Sequence, residues 1–108
     1  MIERLFVYGT LAPGQPNEHV LREIGGSWEA GTVTGRLRQA GWGAGLGYPG
    51  IDLDEDGDEI QGFVFSSEKL VDYWGMLDEF EGEAYERVVT EVRLKDNRRV
   101  DAYIYKLK

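Results

Sequence analysis

The sequence contains no cysteine and a single histidine, and both scarcities exclude whole classes of chemistry. Without cysteine, the chain has no disulfide, no thiol nucleophile and no thiolate metal ligand. One histidine, His19, is too few for a zinc site of ordinary composition. We therefore expect no metal site, and a Ser-His-Asp triad would have to use His19.

Long apolar runs are absent as well, and no stretch approaches the length needed to span a membrane. The first ten residues, MIERLFVYGT, do not have the pattern of a signal peptide, so we expect a cytoplasmic location and no membrane partner. Basic residues are in the minority, with 12 Lys and Arg against 20 Asp and Glu, a net charge of -8. Because an acidic chain repels phosphate backbones, we expect no nucleic-acid partner.

The length of 108 residues, with 42% hydrophobic and 30% charged residues, is typical of one folded domain. We therefore assign residues 1–108 to a single domain, and we expect a monomer or a weak dimer. Bases outnumber acids from Arg87 to the C-terminus. This excess indicates either the solvated face of a strand pair or a weak basic patch.

Alternating apolar residues and turn residues predict five strands. They cover residues 4–9, 27–38, 59–65, 85–95 and 99–107. Five glycines within residues 41–50 predict a loop, or a strand in tight contact with its neighbours. Because strands and helices do not alternate regularly, we expect the α+β class: a mixed, curled sheet or small β-barrel with one longer and one or more short flanking helices.

Two helices are predicted between these strands. A short helix over residues 18–24 is bounded by Asn17 as its N-terminal cap and Gly25 as its end. A longer helix over residues 67–81 ends at Gly82. We expect both helices to pack on the sheet.

The acidic run DLDEDGDEIQGF resembles the first half of a calcium-binding loop. Asp52, Asp54 and Asp56 fall at three ligand positions, and Gly57 falls at the bend. The closing position requires a bidentate glutamate, but Phe63 stands there. The run is therefore predicted to be an acidic hairpin turn.

Glu81 is the strongest catalytic candidate in the chain. Leu70, Trp74 and Leu77 are spaced as an apolar helix stripe, and Glu81 follows Leu77 by four residues on the same stripe. Burial and the negative end of the helix dipole both disfavour the ionised carboxylate, and so raise its pKa. The alternative is a frayed last turn, in which Glu81 lies in water or pairs with Arg87.

The segment VYGTL, residues 7–11, ends a buried strand at Gly9 and leaves backbone N–H groups without partners. Such groups can bind a carboxylate or a polarised carbonyl, although an ordinary turn is the alternative. Tyr85 and Arg87 follow the Glu81 turn on one strand face. They either orient a substrate and the Glu81 carboxylate, or pack across strands and pair with the acidic cluster. Plain surface charges are predicted for Asp78, Glu79 and Glu83.

Three motifs in this order resemble those of the γ-glutamylcyclotransferase-like family. They are Tyr8-Gly9-Thr10-Leu11, Leu77-Asp78-Glu79-Phe80-Glu81-Gly82 and Tyr85-Glu86-Arg87. The family pattern is a YG[ST]L loop, a distant LDxxEG and then YxR. The length and the intervening GFVF stretch also fit, so the resemblance covers nearly the whole chain.

The resemblance implies a small β-barrel with flanking helices and a reaction that needs neither cofactor nor metal. The α-amine of a γ-glutamyl compound attacks its own γ-carbonyl, which gives 5-oxoproline and a free amine or amino acid. Glu81 is implied as general acid/base, and residues 8–11 as the contact with the γ-glutamyl group. We expect Tyr8, Gly9, Thr10, Leu11, Glu81 and Tyr85 to face one cavity. Arg87, the nearest cation in the motif, is expected either to bind the substrate or to brace the acidic turn.

A non-enzymatic small-molecule binding module on the same scaffold is the main alternative function. A pure binder has no need of a carboxylate on an apolar stripe, so Glu81 favours the enzyme. A structural or protein-interaction domain is a third possibility, and the basic last hairpin is its only support. The leaving group is expected to lie against residues 12–18 and 41–50.

We expect calorimetry at millimolar calcium to show no saturable heat, because Phe63 replaces the closing bidentate ligand of the acidic run. A micromolar dissociation constant would contradict this interpretation.

Overall fold

A computed structural model describes residues 2–38 and 50–108. The elements in these ranges are β1 (Arg4–Val7), α1 (Glu18–Ile24), β2 (Ser27–Arg38), β3 (Gly50–Leu53), β4 (Asp58–Ser66), a 3₁₀ helix (Glu68–Asp72), α2 (Trp74–Glu81), β5 (Tyr85–Leu94) and β6 (Arg99–Leu107). The predicted glycine-rich segment 41–50 lies outside the described residues except for Gly50, which begins β3. None of the described helices is long and apolar enough to cross a membrane.

The strands form a mixed sheet in the order β3-β2-β4-β1-β6-β5. β1 runs parallel to β6, whereas its pairing with β4 is antiparallel. β2 also pairs with β5 at Gly31–Leu94 and Thr32–Arg93, which closes five strands into a small barrel. The predicted α+β class and curled sheet are therefore confirmed.

The apolar residues form two clusters on opposite sides of the strands. One cluster consists of strand residues alone, including Phe6, Val64 and Ile104, and fills the barrel interior. In the other, Leu5 and Phe65 pack against residues of both α-helices. β1 is therefore buried on both faces, as its continuous apolar run predicts.

The predicted helix over 67–81 is wrong in one respect, because it is interrupted at Tyr73. A 3₁₀ helix covers its first part, and α2 begins only at Trp74. The side chain of Ser67 accepts a hydrogen bond from the N–H of Lys69, so the predicted start is correct. The interruption falls in a Val-Asp-Tyr-Trp-Gly run, whose residues all have modest or poor helix propensity.

The acidic run is also organised differently from the hairpin turn that was predicted. β3 and β4, on either side of it, both pair with β2, and Gly35 lies opposite both Leu53 and Asp58. The 12-residue β2 is long enough to pair with both strands. Within the connection, Asp54 accepts a hydrogen bond from the N–H of Asp56. It also forms an ion pair with Arg36.

Both predicted glycine ends are confirmed, since Gly25 and Gly82 have φ of 84° in the left-handed region. The predicted cap at Asn17 is only partly right. Asn17 stands at the cap position of α1, but its side chain makes no capping hydrogen bond. Instead, its backbone N–H donates to the carbonyl of Thr10 at 2.8 Å, which fixes the loop after β1.

The predicted last hairpin is confirmed, with Asn97 at φ 68° in its turn. The basic residues of this hairpin lie close to carboxylates. The ion pairs are Arg93–Glu59, Arg98–Glu29, Arg98–Asp96, Arg99–Glu91 and Lys106–Glu86. This arrangement favours a solvated strand face over a basic patch.

We expect Gly35→Ala to destabilise the protein by about 1–3 kcal/mol. A Cβ there would lie 2.6 Å from the backbone oxygen of Asp52, and backbone cannot move aside cheaply. The matched control is Gly75→Ala in α2, where no described atom lies within 4 Å of the new Cβ. The control should be neutral or stabilising by up to about 1 kcal/mol. Urea unfolding measures both, and equal stabilities would show that the β2–β3 contact is looser than described.

Candidate active site

Glu81 is the last residue of α2 and lies one turn beyond the fully buried Leu77. Its side chain is half-buried, and it forms no ion pair or hydrogen bond with other residues of the two described ranges. Burial raises the pKa of its carboxyl from 4.5 to about 7. The sequence left two alternatives for Glu81, a side chain in water or an ion pair with Arg87. The structure shows neither of them.

The charge of Glu81 acts on three tyrosines of the described residues. Burial raises the pKa of the phenols of Tyr8, Tyr85 and Tyr105, and the charge of Glu81 adds to each shift. The three hydroxyls therefore stay protonated at neutral pH and lie within electrostatic reach of Glu81. Of the predicted substrate-binding residues, Tyr8 and Tyr85 are thus brought to Glu81, and Tyr105 is an addition that the sequence did not indicate.

The hydroxyl of Tyr8 is already occupied by backbone groups. It donates to the carbonyl of Tyr105 at 2.8 Å and accepts from the N–H of Ile51 at 3.0 Å. A phenol has a single proton to donate, so Tyr8 in this arrangement cannot donate to a substrate. Its hydroxyl instead ties β1 to β6 and β3.

The backbone of the loop after β1 is held by hydrogen bonds within the loop. The carbonyls of Gly9 and Thr10 accept hydrogen bonds from the N–H groups of Ala12 and Asn17. Among the loop and turn hydrogen bonds of the described residues, none is donated by the N–H of Thr10 or Leu11. No described atom lies within 4 Å of a Cβ built on Gly9, so the backbone there borders open space.

This loop shares one apolar cluster with the end of α2. Leu11 belongs to the same buried cluster as Leu77 and Tyr85, and Phe80 packs against it. Thr10 is also buried, with 8% of its surface exposed. The loop and the helix end that carries Glu81 therefore pack on the same core.

Arg87 does not reach Glu81, contrary to one of the two roles predicted for it. Its guanidinium binds both carboxylate oxygens of Asp78, at 2.9 and 3.3 Å. It is also held against aromatic rings, 4.5 Å from the centroids of both Trp74 and Tyr103. The alternative prediction, a charge partner for the acidic cluster, describes its position.

Asp78 was predicted to be a plain surface charge; it is exposed, but it has fixed partners that the sequence did not indicate. Besides Arg87, it accepts a hydrogen bond of 2.7 Å from the Tyr105 hydroxyl. Its partial burial acts to raise its pKa, but the hydrogen bonds from Arg87 and Tyr105 outweigh this effect, so the pKa of Asp78 is lowered. Its spacing of three residues from Glu81 was the one sequence signal for a role, because such residues are neighbours on a helix.

No group of three or more His, Asp or Glu side chains within residues 2–38 and 50–108 is arranged to hold a metal ion. The acidic connection between β3 and β4, which lies within these ranges, likewise holds no such group. Its Asp54 carboxylate is engaged by Arg36 at 2.9 Å.

The raised pKa of Glu81 has a consequence for stability. The folded state binds this proton more tightly than the unfolded chain, so the contribution is full below pH 4.5 and is lost as the pH rises through about 7. Glu81→Gln removes the titration. We expect the stability of the variant relative to wild type to increase by up to about 3 kcal/mol between pH 4.5 and about pH 8. Urea unfolding at several pH values measures this, and a difference that does not vary with pH would contradict it.

A sequence model described as "Gamma-glutamyl cyclotransferase, AIG2-like" matches residues 5–108. A search among curated proteins finds no match. Among solved structures, YkqA from Bacillus subtilis is 27% identical with a TM-score of 0.75, and it is matched over 100% of this chain and 36% of its own. The chain thus spans about a third of YkqA.

Two further structures share the architecture. An AIG2-like protein from Mus musculus is 25% identical with a TM-score of 0.71, over 97% of this chain and 76% of its own. A protein named gamma-glutamyl cyclotransferase has a TM-score of 0.68 over 97% of this chain and 66% of its own, and at 17% identity it shows the fold alone. Since the sequence model spans both motif regions and nearly all of the chain, the chain belongs to the gamma-glutamyl cyclotransferase, AIG2-like family.

Proposed function

We propose that this chain is a cyclotransferase that releases 5-oxoproline and a free amine or amino acid from a γ-glutamyl compound, with Glu81 as the general acid/base. The observation that carries the proposal is a half-buried carboxylate, bordered by three phenols and without a cationic partner among the described residues. Family membership supports the same class of reaction.

The reaction is a transfer within one molecule. The α-ammonium of the substrate first loses a proton to the Glu81 carboxylate, and the free amine attacks the γ-carbonyl carbon. The tetrahedral intermediate then collapses, the bond to the leaving nitrogen breaks, and Glu81 returns its proton to that nitrogen. The ring nitrogen formed by the attack still carries a second proton, which passes to the freed Glu81 carboxylate and then to the released amine. Two protons therefore cross the same side chain in turn, and the sequence of steps needs no second acid or base.

The pKa of Glu81 suits both halves of this cycle. A carboxyl with a pKa of 4.5 would be almost wholly ionised at neutral pH and would return a proton poorly. With burial raising the pKa to about 7, both forms are populated near neutrality. Because the ionised form must accept the first proton, we expect kcat/KM to fall as the pH decreases below about 7.

Substrate folding supplies the rest of the rate enhancement. The attacking amine and the carbonyl belong to one chain, and well-oriented closures of this kind reach effective molarities of about 10⁵–10⁸ M. In this proposal the N–H groups of Thr10 and Leu11 hold the α-carboxylate or the developing oxyanion. Tyr85, within electrostatic reach of Glu81, orients the γ-glutamyl group.

The test is release of 5-oxoproline from a panel of γ-glutamyl amines, amino acids and dipeptides. We expect Glu81→Gln to lower turnover by about 10²- to 10⁴-fold while the variant stays folded and still binds 5-oxoproline. Glutamine keeps the shape of the side chain but cannot accept the ammonium proton. The matched control is Glu79→Gln, which removes an exposed carboxylate from the same helix and should leave turnover unchanged.

Turnover by Glu81→Gln within threefold of wild type would end the general-base assignment. If the wild type binds 5-oxoproline but converts none of the panel, the chain is instead a small-molecule binding module on this scaffold.

A further inference from the structure

Three ionised groups meet around one tyrosine hydroxyl beside the proposed site. Burial and the hydrogen bond to Asp78 raise the pKa of the Tyr105 phenol, the charges of Asp78 and Glu81 raise it further, and that of Arg87 acts in the opposite direction. Asp78 and Glu81 are three residues apart on α2, so their side chains leave neighbouring positions of the helix. The guanidinium bound to Asp78 is thus joined to the helix turn that carries Glu81, and it forms no ion pair or hydrogen bond with Glu81.

The position of Arg87 is fixed from several directions. Asp78 takes two hydrogen bonds from it, and this fork-to-fork geometry has more directional preference than a point charge. The rings of Trp74 and Tyr103 each lie 4.5 Å from its central carbon. Its side chain is 22% exposed, against 45% for Asp78, so the cation is the more enclosed partner.

Asp78 is itself fixed at both its side chain and its backbone. The Tyr105 hydroxyl donates to the carboxylate at 2.7 Å, and the N–H of Gly82 donates to the backbone carbonyl at 3.1 Å. These contacts join the last turn of α2, which carries Glu81, to β5 and β6.

We propose that Asp78 is a positioning residue: it holds the Arg87 guanidinium away from Glu81 and so keeps the catalytic carboxylate free of a cation. This inference rests on the proposed function, because it assigns to Asp78 the task of preserving a proton-exchanging Glu81. An uncompensated arginine within about 4–6 Å lowers the pKa of a carboxyl by about 1–3 units, which would fix Glu81 in its ionised form. Tyr105 supports Asp78 in this task.

The groups that face Glu81 limit what else can move its titration. They are the phenols of Tyr8, Tyr85 and Tyr105, which stay protonated. The Asp78–Arg87 pair is joined to the same turn of α2 and forms no ion pair or hydrogen bond with Glu81. Arg87 is the cation of this set, so a change that frees it should act on Glu81 in one direction, downward.

The test is a ¹³C NMR titration of the Glu81 side-chain carboxyl in the full chain, assigned by its loss in Glu81→Gln. Asp78→Asn should lower the Glu81 pKa by about one unit or more. The acidic limb of the pH profile of kcat/KM should then move to lower pH by the same amount. Adding Arg87→Met should restore the higher pKa, because the shift requires the arginine charge. The control is Glu91→Gln, which breaks the exposed Arg99–Glu91 pair on the same hairpin and should change neither.

Two results would overturn the proposal. One is a folded Asp78→Asn variant in which Glu81 titrates as in wild type. The other is a lowered pKa that persists in the double variant, since a frayed helix end would lower it without Arg87. Should Asp78→Asn not fold, Tyr105→Phe replaces it, with a smaller lowering supporting the proposal and no change overturning it.

The titration needs no substrate, so the two proposals fail separately. If no γ-glutamyl compound is converted, the cyclotransferase assignment fails while the titration still decides the role of Asp78. If conversion depends on Glu81 but the pKa of Glu81 is the same in Asp78→Asn as in wild type, the positioning role alone fails.

Discussion

The burial of one carboxylate at the end of a short helix is the constraint on which the rest of the site depends. Desolvating an ionised group is costly, and Glu81 sits at the helix end where the dipole adds to that cost. An eight-residue helix would not hold such a turn by itself, because its own hydrogen bonds are few. The turn is held by the buried Leu77 and by the Asp78 contacts to Arg87 and Tyr105.

The barrel supplies the rigidity that the site requires. β1 is buried on both faces, and the loop that follows it presents its backbone N–H groups from a fixed strand end. The carbonyls of Gly9 and Thr10 accept hydrogen bonds from the N–H groups of Ala12 and Asn17 within the loop. The Tyr8 hydroxyl adds a tie between three strands at this point. The conformation of this loop thus follows from ordinary backbone hydrogen bonding.

Local patterns were sufficient for much of the fold. The first strand, the short helix, the last hairpin and the glycine ends of both helices follow from periodicity and turn chemistry that act within a few residues. The interruption at Tyr73 could not be placed by periodicity, because Leu70 and Trp74 keep a helical spacing across it. β3 was missed because its four residues carry too little pattern, and its pairing depends on the length of β2.

Some residues of the candidate site could be predicted from local sequence patterns, and others could not. Glu81 could be found because Leu77, four residues earlier in an unbroken helix, marks the buried stripe. Asp78 could not be distinguished from Glu79 or Glu83 by the sequence, since its partners come from other strands. Arg87 is nine residues away, and Tyr105 is 27 residues away. Which of two predicted partners an arginine takes depends on contacts that the fold brings together, here the Asp78 carboxylate and the rings of Trp74 and Tyr103.

A fold shared at low identity does not by itself specify a reaction, so the chemistry must be argued from the site. A carboxylate that only bound a cationic ligand would work best fully ionised, with a low pKa and a nearby cation to balance it. Glu81 has the opposite environment: burial raises its pKa to about 7, and Arg87 is bound by another acid, Asp78. Such an environment disfavours simple charge pairing and favours a group that gains and loses a proton in each cycle. Cyclisation of a γ-glutamyl substrate, in which protons leave the attacking nitrogen and are received by the leaving nitrogen, makes that demand.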